Sequence, residues 1–209
     1  MTSTVVLASR NQKKIKELVT LLSPFGVDIK GLDAFPAIGE IEETGTTFAE
    51  NALLKASTVS KLTGFVAVAD DSGMVVDALG GRPGVYSARY SEEQGRPATD
   101  PRNTQKVLDE MANVPDAERT IRFVSVMAAV APDGTEILAE GLWEGLLTRE
   151  PLGANGFGYD PVFFDPEIGL TAGQMEPALK NERSHRAKAC VKLLELWPGF
   201  AGKVYQNHP

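Results

Sequence analysis

Two adjacent carboxylates, Asp70 and Asp71, follow the apolar run FVAVA (residues 65–69) and precede Ser72 and Gly73. Like charges side by side repel and resist desolvation, so packing alone gives no reason for them. Asp and Ser favour turns and helix caps, which makes a solvated turn the plain alternative. The chemical alternative is that one carboxylate orients its surroundings while the other holds a metal or takes a proton from water. A second acidic group, Glu40, Glu42 and Glu43, stands just before Thr44 and Gly45. Taken alone, those loop glutamates read as solvated.

Cations occupy two places where helices prefer acids. A helix N-terminus carries partial positive charge and favours Asp or Glu in its first turn. The helix expected after SRN opens instead with Lys13 and Lys14, and the one after NERS opens with His185, Arg186 and Lys188. Free backbone N–H groups beside cationic side chains make a phosphate cradle. At the second place, a simple N-cap role for Ser184 is the competing reading. The phosphate-binding pattern G-x-x-x-x-G-K-S/T is absent, and GANGFG does not match the dinucleotide pattern G-x-G-x-x-G.

The 209 residues suffice for a substantial core, and the absence of linkers, repeats and low-complexity stretches gives a single domain over 1–209. A net charge of −7 argues against coating nucleic acid by bulk electrostatics, while leaving room for a local basic pocket. Cys190 is the only cysteine, and His185 and His208 are the only histidines, so a metal here is expected to be hard and oxygen-bound. No apolar run reaches the roughly 20 residues of a membrane span. The start, MTSTVVLAS, lacks the basic segment and long apolar stretch of a signal peptide, which points to a cytoplasmic location.

The elements that must position these residues follow from periodicity. TVVLAS (4–9) reads as a buried strand, and Ile15, Leu18, Val19 and Leu22 form the stripe of a helix that Pro24 and Gly26 end. VDIKGL is a second strand. A helix then runs from a Thr47/Glu50 capping box to Gly64 at its C-terminus. FVAVA is a strand ending at the acidic pair, and DDSGMVVDALGGRPGVYSARY an irregular loop with a short strand piece. Asp100-Pro101 opens a helix with Val107, Leu108 and Met111 on one face. RTIRFVSVMAAVAPDGTEILAEGLWEGLLT is a hairpin, LGANGFGYDPVFF a Gly-rich loop entering a strand, and SHRAKACVKLLELW a final helix stopped by Pro198-Gly199. Alternating strands and helices followed by a hairpin predict an α/β fold on a mixed sheet. Ligands of such sheets bind at the carboxyl ends of strands, where the acidic pair and the SRN segment are both expected. Cys190, Trp143 and Trp197 read as core.

SRNQKK, EETGTTFAENALLKA, ADDSGMVVDALGGRPGVYSARY, GFGYDPVFF and SHRAKA stand in this order between Val5 and about Leu196. In this the chain resembles the Ham1/RdgB-like family of non-standard purine nucleoside triphosphate pyrophosphatases. The resemblance implies hydrolysis of ITP, dITP and XTP to the monophosphate and pyrophosphate, with Mg²⁺ (or Mn²⁺), by a homodimer. It implies an elongated α/β fold with a central mixed, twisted sheet flanked by helices and a cleft between two lobes. It implies that Ser9, Arg10, Asn11, Gln12, Lys13 and Lys14 contact the triphosphate, with Lys55 as a further cation and Ser72 touching substrate. Asp71 is then the proton acceptor and a metal ligand, joined at the metal by Glu42. Phe157, Gly158, Tyr159, Asp160, Lys180, His185 and Arg186 are then the base site. Two features depart from the family pattern: Arg10 stands where S/T-G-N is usual, and residues 92–103 are longer than in compact members and carry no assigned role.

Two other readings remain at this level. A pyrophosphatase of the Maf type would keep the fold but act on pyrimidine or modified nucleotides, and the SHR and FGYD segments disfavour it. A non-catalytic nucleotide- or RNA-binding module is disfavoured by the net charge and the carboxylates.

Overall fold

The computed structural model describes residues 4–22 and 26–206. Pro24 lies outside the described residues, and so do the side chains of Lys13 and Lys14. The chain divides into two compact units. The first comprises Met1–Asp71, Ser125–Gly141 and Arg186–Pro209, the second Ser72–Val124 and Leu142–His185. One seven-stranded sheet has the order β2-β1-β3-β4-β5-β6-β7. It is mixed, since β1 pairs in parallel with β2 and β3, whereas β6 pairs antiparallel with β5 and β7.

In the first unit, β1 (Thr4–Leu7) leads into α1 (Gln12–Leu22) and β2 (Asp28–Gly31). Helix α2 (Phe48–Thr63) begins at a complete capping box: Thr47 accepts from the Glu50 N–H, and Glu50 accepts from the Thr47 N–H. It ends at Gly64, whose φ of 71° is the left-handed conformation that glycine adopts without strain. Both ends therefore fall where the sequence places them. Strand β1 is shorter than TVVLAS, stopping at Leu7 and leaving Ser9 in the turn before α1.

Strand β3 (Val66–Val76) differs from expectation. It does not end at the acidic pair but continues for five residues beyond Asp71, through a stretch expected to be an irregular loop. Asp, Ser and Gly disfavour strands only weakly, and sheet pairing with satisfied side chains overrides that preference. The parallel pairing with β1 stops at Val68, so Asp70 and Asp71 lie past the carboxyl end of β1 although they are inside β3. The placement rule for ligand sites in parallel sheets is kept locally.

Helix α3 (Asp100–Glu110) is capped by Thr99. Strands β4 (Thr120–Val130) and β5 (Glu136–Leu147) are joined by the Pro-Asp-Gly turn, where Gly134 has φ 89° and Asp133 accepts from the Thr135 N–H. Short strands β6 (Phe163–Asp165) and β7 (Leu170–Thr171) precede α4 (Pro177–Arg183). The last helix, α5 (His185–Gln206), runs straight through Pro198, which was expected to stop it. An interior proline costs roughly 3 kcal/mol. Beyond it Phe200 and Val204 are buried in the first core, and each such burial stabilises by about 1.5–3 kcal/mol, enough to carry the helix on. No described helix is long and apolar enough to cross a membrane.

Each unit has its own core. Val5, Leu7, Leu18, Val68, Met127, Leu193, Trp197 and Phe200 pack in the first. Met74, Val107, Met111, Phe123, Trp143, Leu147 and Phe163 pack in the second.

Candidate active site

Successive side chains of a strand point to opposite faces. Asp70 and Asp71 obey this rule and acquire different partners. On one side, Lys55 Nζ donates to Asp71 Oδ1 at 2.8 Å, to Glu43 Oε1 at 2.7 Å and to the Asp70 carbonyl at 3.0 Å. Asn51 Nδ2 donates to Asp71 Oδ2 at 3.3 Å. Asn51 and Lys55 are four residues apart on α2 and so share a face, and the capping box sets the phase that turns this face to β3. Burial alone would push the Lys55 ammonium down. The Asp71 and Glu43 carboxylates outweigh it and hold the group above the ordinary lysine value.

The acidic loop is tied to the same amide. Gly45 N–H donates to Asn51 Oδ1 at 2.8 Å, and a Cβ on Gly45 would lie 2.7 Å from that oxygen. Only glycine lets the loop approach this closely, and the approach delivers Glu43. Glu43 is half-buried on Lys55, whereas Glu42, the expected metal contact, is exposed.

On the other side of β3, Ser125 Oγ donates to Asp70 Oδ1 at 2.5 Å, and Arg186 Nε and Nη2 lie 3.4 and 3.3 Å from Asp70 Oδ2. Arg186 is 2% exposed, so the cation expected at the start of α5 is turned inward onto a carboxylate.

At the start of α1, Ser9 Oγ accepts from the Asn11 N–H at 3.2 Å. Arg10 donates to the Ile38 carbonyl and Gln12 Nε2 to Asp33 at 3.3 Å, so both lean on the connection between β2 and α2. Asn11 is exposed, and Ser72 is half-buried on β3. Helix α1 has no acid in its first turn.

The second unit holds the other cluster. Asp160 Oδ2 accepts from the Phe157 N–H and from Lys180 Nζ, each at 2.7 Å, and Lys180 Nζ lies 4.9 Å from the centre of the Phe157 ring. Gly156, at φ 76°, permits this closure, because a Cβ there would lie 2.0 Å from Asp160 Oδ2. Phe157 is half-buried, and its ring lies beside the buried Lys180 ammonium. Tyr159 is buried, its hydroxyl donates to the Ser87 carbonyl at 2.8 Å, and burial pushes the phenol upward. The buried His185 ring lies 4.9 Å from the Phe123 ring.

The structure thus brings Asp71 and Lys55 together in one unit, and Phe157, Asp160 and Lys180 in the other. Arg186 belongs with Asp70 in the first. Sequence reasoning missed Asn51 and Ser125 as partners of the acidic pair and Glu43 as a partner of Lys55. Asn51 was open to detection, since the capping box fixes the phase of α2 and Asn51 falls one turn before Lys55. Ser125 had no such signal, lying 55 residues from Asp70 within an apolar strand.

Among the described residues no three His, Cys, Asp or Glu side chains gather as a closed metal cage. Mg²⁺ commonly takes only one or two protein carboxylates and completes its shell with water and substrate phosphate. Asp71, with Glu43 beside it, fits that pattern.

The sequence model of the Ham1 family matches residues 5–196. A dITP/XTP pyrophosphatase of Nitratidesulfovibrio vulgaris is 57% identical over 201 residues, covering 95% of this chain and 97% of that protein. One of Shigella flexneri is 49% identical over 193 residues, covering 91% and 96%. The solved structure of a HAM1 protein from Coxiella burnetii superposes with a TM-score of 0.86 at 39% identity, covering 95% of this chain and all of that one. With a family match over nearly its whole length and a buried acid–lysine cluster in the family's ordered motifs, the chain belongs to the Ham1 family.

Proposed function

We propose that this chain hydrolyses non-standard purine nucleoside triphosphates (ITP, dITP and XTP) to the monophosphate and pyrophosphate, clearing deaminated purines from the nucleotide pool. The relatives named dITP/XTP pyrophosphatase support this reading. The observation that carries it is the Asp71–Lys55–Glu43 cluster just past the end of β1. In the proposal, Asp71 takes a proton from a water whose oxygen forms the bond to the α-phosphorus. The bond from that phosphorus to the bridging oxygen breaks, and pyrophosphate leaves with the electron pair. Lys55 stabilises the charge on the leaving side, and Ser9 to Lys14 bind the phosphates at the N-terminus of α1. Asp71 and Glu42 or Glu43 would hold a divalent cation, Mg²⁺ or Mn²⁺, which when bound neutralises phosphate charge.

The base falls to the second cluster. Phe157 offers a ring face for stacking, and the Lys180 ammonium lies 4.9 Å from that ring as a hydrogen-bond donor group. An ammonium accepts nothing, so it suits a 6-oxo group and opposes the 6-amino group of adenine. Arg186, seated on Asp70 in the first unit, is left out of this cluster, and the buried His185 and Tyr159 belong with the cluster to the second unit. We further propose that residues 1–209 act as one domain in a cytoplasmic homodimer.

The test is a panel of ITP, dITP, XTP, GTP, ATP, dTTP and UTP with and without Mg²⁺, with pyrophosphate and orthophosphate quantified separately. Pyrophosphate from ITP, dITP and XTP, formed only with metal, is expected. Orthophosphate, or a preference for pyrimidines, would overturn the reading. Asp71→Asn should lower kcat by about 10²–10⁴-fold, the usual contribution of a positioned proton acceptor.

A further inference from the structure

Residues 92–103 have no role in the chemistry above, yet they end at the start of α3, and that start grips the base loop. Asp100 Oδ2 accepts from the Gly158 N–H at 2.9 Å, across 58 residues of sequence. Thr104, one turn along α3, donates more weakly to the Gly158 carbonyl at 3.4 Å. Gly158, at φ 62°, is the turn residue directly after Phe157.

These bonds act on the Phe157 backbone from both sides. The Phe157 N–H is held by Asp160 Oδ2, which limits rotation about φ. The peptide after Phe157 is held at its N–H by Asp100 and at its carbonyl by the Asp160 N–H at 3.3 Å, which limits rotation about ψ. With both dihedrals restrained, the ring has a fixed origin. Asp160 belongs to the loop itself, whereas Asp100 belongs to a helix anchored elsewhere. Val107 and Met111 are fully buried, and Asn103 holds the Ser91 N–H at 2.8 Å and the Ala88 carbonyl at 3.0 Å. The loop is thereby referenced to the core of its unit. A carboxylate on a backbone N–H is also a charge-assisted bond, and in the first turn of α3 it sits where the helix dipole favours it.

We propose that Asp100, assisted by Thr104, is a positioning residue for base recognition: it pre-organises the Phe157 loop without touching substrate. The inference rests on the assignment of Phe157 and Lys180 to the purine. Restraining a loop in its binding conformation lowers the ordering cost of binding, so its loss appears in affinity for the base-bearing ligand.

The experiment compares ITP hydrolysis with inhibition by pyrophosphate, a product that carries no base. Asp100→Ala is expected to raise KM for ITP on the order of 5- to 10-fold, with kcat within about twofold and the inhibition constant of pyrophosphate unchanged. Asp100→Asn keeps an acceptor oxygen and should recover most of the loss. Thr104→Val should shift KM in the same direction by less. An unchanged KM in Asp100→Ala, or a weakening shared by ITP and pyrophosphate, would overturn the proposal. Should Asp100→Ala fail to fold, the order of Asp100→Asn and Thr104→Val against the parent decides, and unchanged KM in both overturns it. Phe157→Ala separates the two levels. If it leaves KM for ITP unchanged, the base assignment itself falls. If it raises KM while Asp100→Ala does not, only the role of Asp100 falls.

Discussion

Adjacent carboxylates can share a strand because the pleat sends them apart. Asp71 meets Lys55, and Asp70 meets Arg186, so each negative charge has its own cation on its own side. The same matching holds at Lys180, which sits on Asp160. Removing one partner of such a buried pair commonly costs 3–5 kcal/mol, so these sites are expected to resist substitution for reasons of stability as well as chemistry. Cys190, read from the sequence as inert core, is 1% exposed, and burial pushes its thiol from 9.0 up to about 12. A folded-state value above the unfolded one means that the folded chain holds the proton more tightly. This contribution to stability is complete below pH 9 and is lost as pH rises from there towards about 12. Tyr90, pushed up to about 12 mainly by burial, acts with the same sign, so the comparison must be with a variant that keeps it. Between pH 8 and 10.5 the urea midpoint of the parent should fall more steeply than that of Cys190→Ala. Parallel pH profiles would show that the thiol does not contribute.

Among the elements, α2 does most to build the acidic cluster, and its limits were open to reading because caps are local. Thr47, Glu50 and Gly64 act through bonds within a few residues, and the helix begins and ends at them. Thr47→Ala should cost about 1 kcal/mol and lower the melting temperature by about 2–4 °C. A calorimetric scan checks this, and an unchanged midpoint would mean that tertiary packing, not the cap, holds the start of α2. Strand β3 and helix α5 were not legible in the same way. Asp-Asp-Ser-Gly and Pro-Gly are local signals for stopping, and in both places distant groups overrule them. Ser125 and Arg186 meet Asp70 from 55 and 116 residues away, and Phe200 and Val204 reach the core beyond Pro198. The site shows the same division. Lys55, Asp71, Phe157 and Asp160 stand in the ordered motifs, whereas Lys180 lies outside them, between GFGYDPVFF and SHRAKA. Asp100 meets Gly158 through a fold-level contact that no spacing reveals.

At the scale of the whole molecule, a mixed sheet was predictable from alternating strands and helices followed by a hairpin. The division into two cores was not, because an apolar residue in a strand does not say which core it enters. Three strands enter both. β3 gives Val66 and Val68 to the first core and Met74 and Val76 to the second. β4 gives Met127 and Ala129 to the first and Ile121 and Phe123 to the second, and β5 divides between Ala139 and Trp143 with Leu147. Melting either core would strip one end of three strands whose other ends remain packed, so the two are expected to unfold together although each is compact. The two tryptophans report on this separately, Trp197 from the first core and Trp143 from the second. Trp143→Phe and Trp197→Phe each leave a single reporter, and the far-ultraviolet circular dichroism of the same samples follows the backbone. In each variant the fluorescence and circular dichroism transitions in urea should coincide. A fluorescence transition that precedes the loss of secondary structure in either variant would mean that the shared strands do not couple the cores, and that one unit can open while the other stays folded.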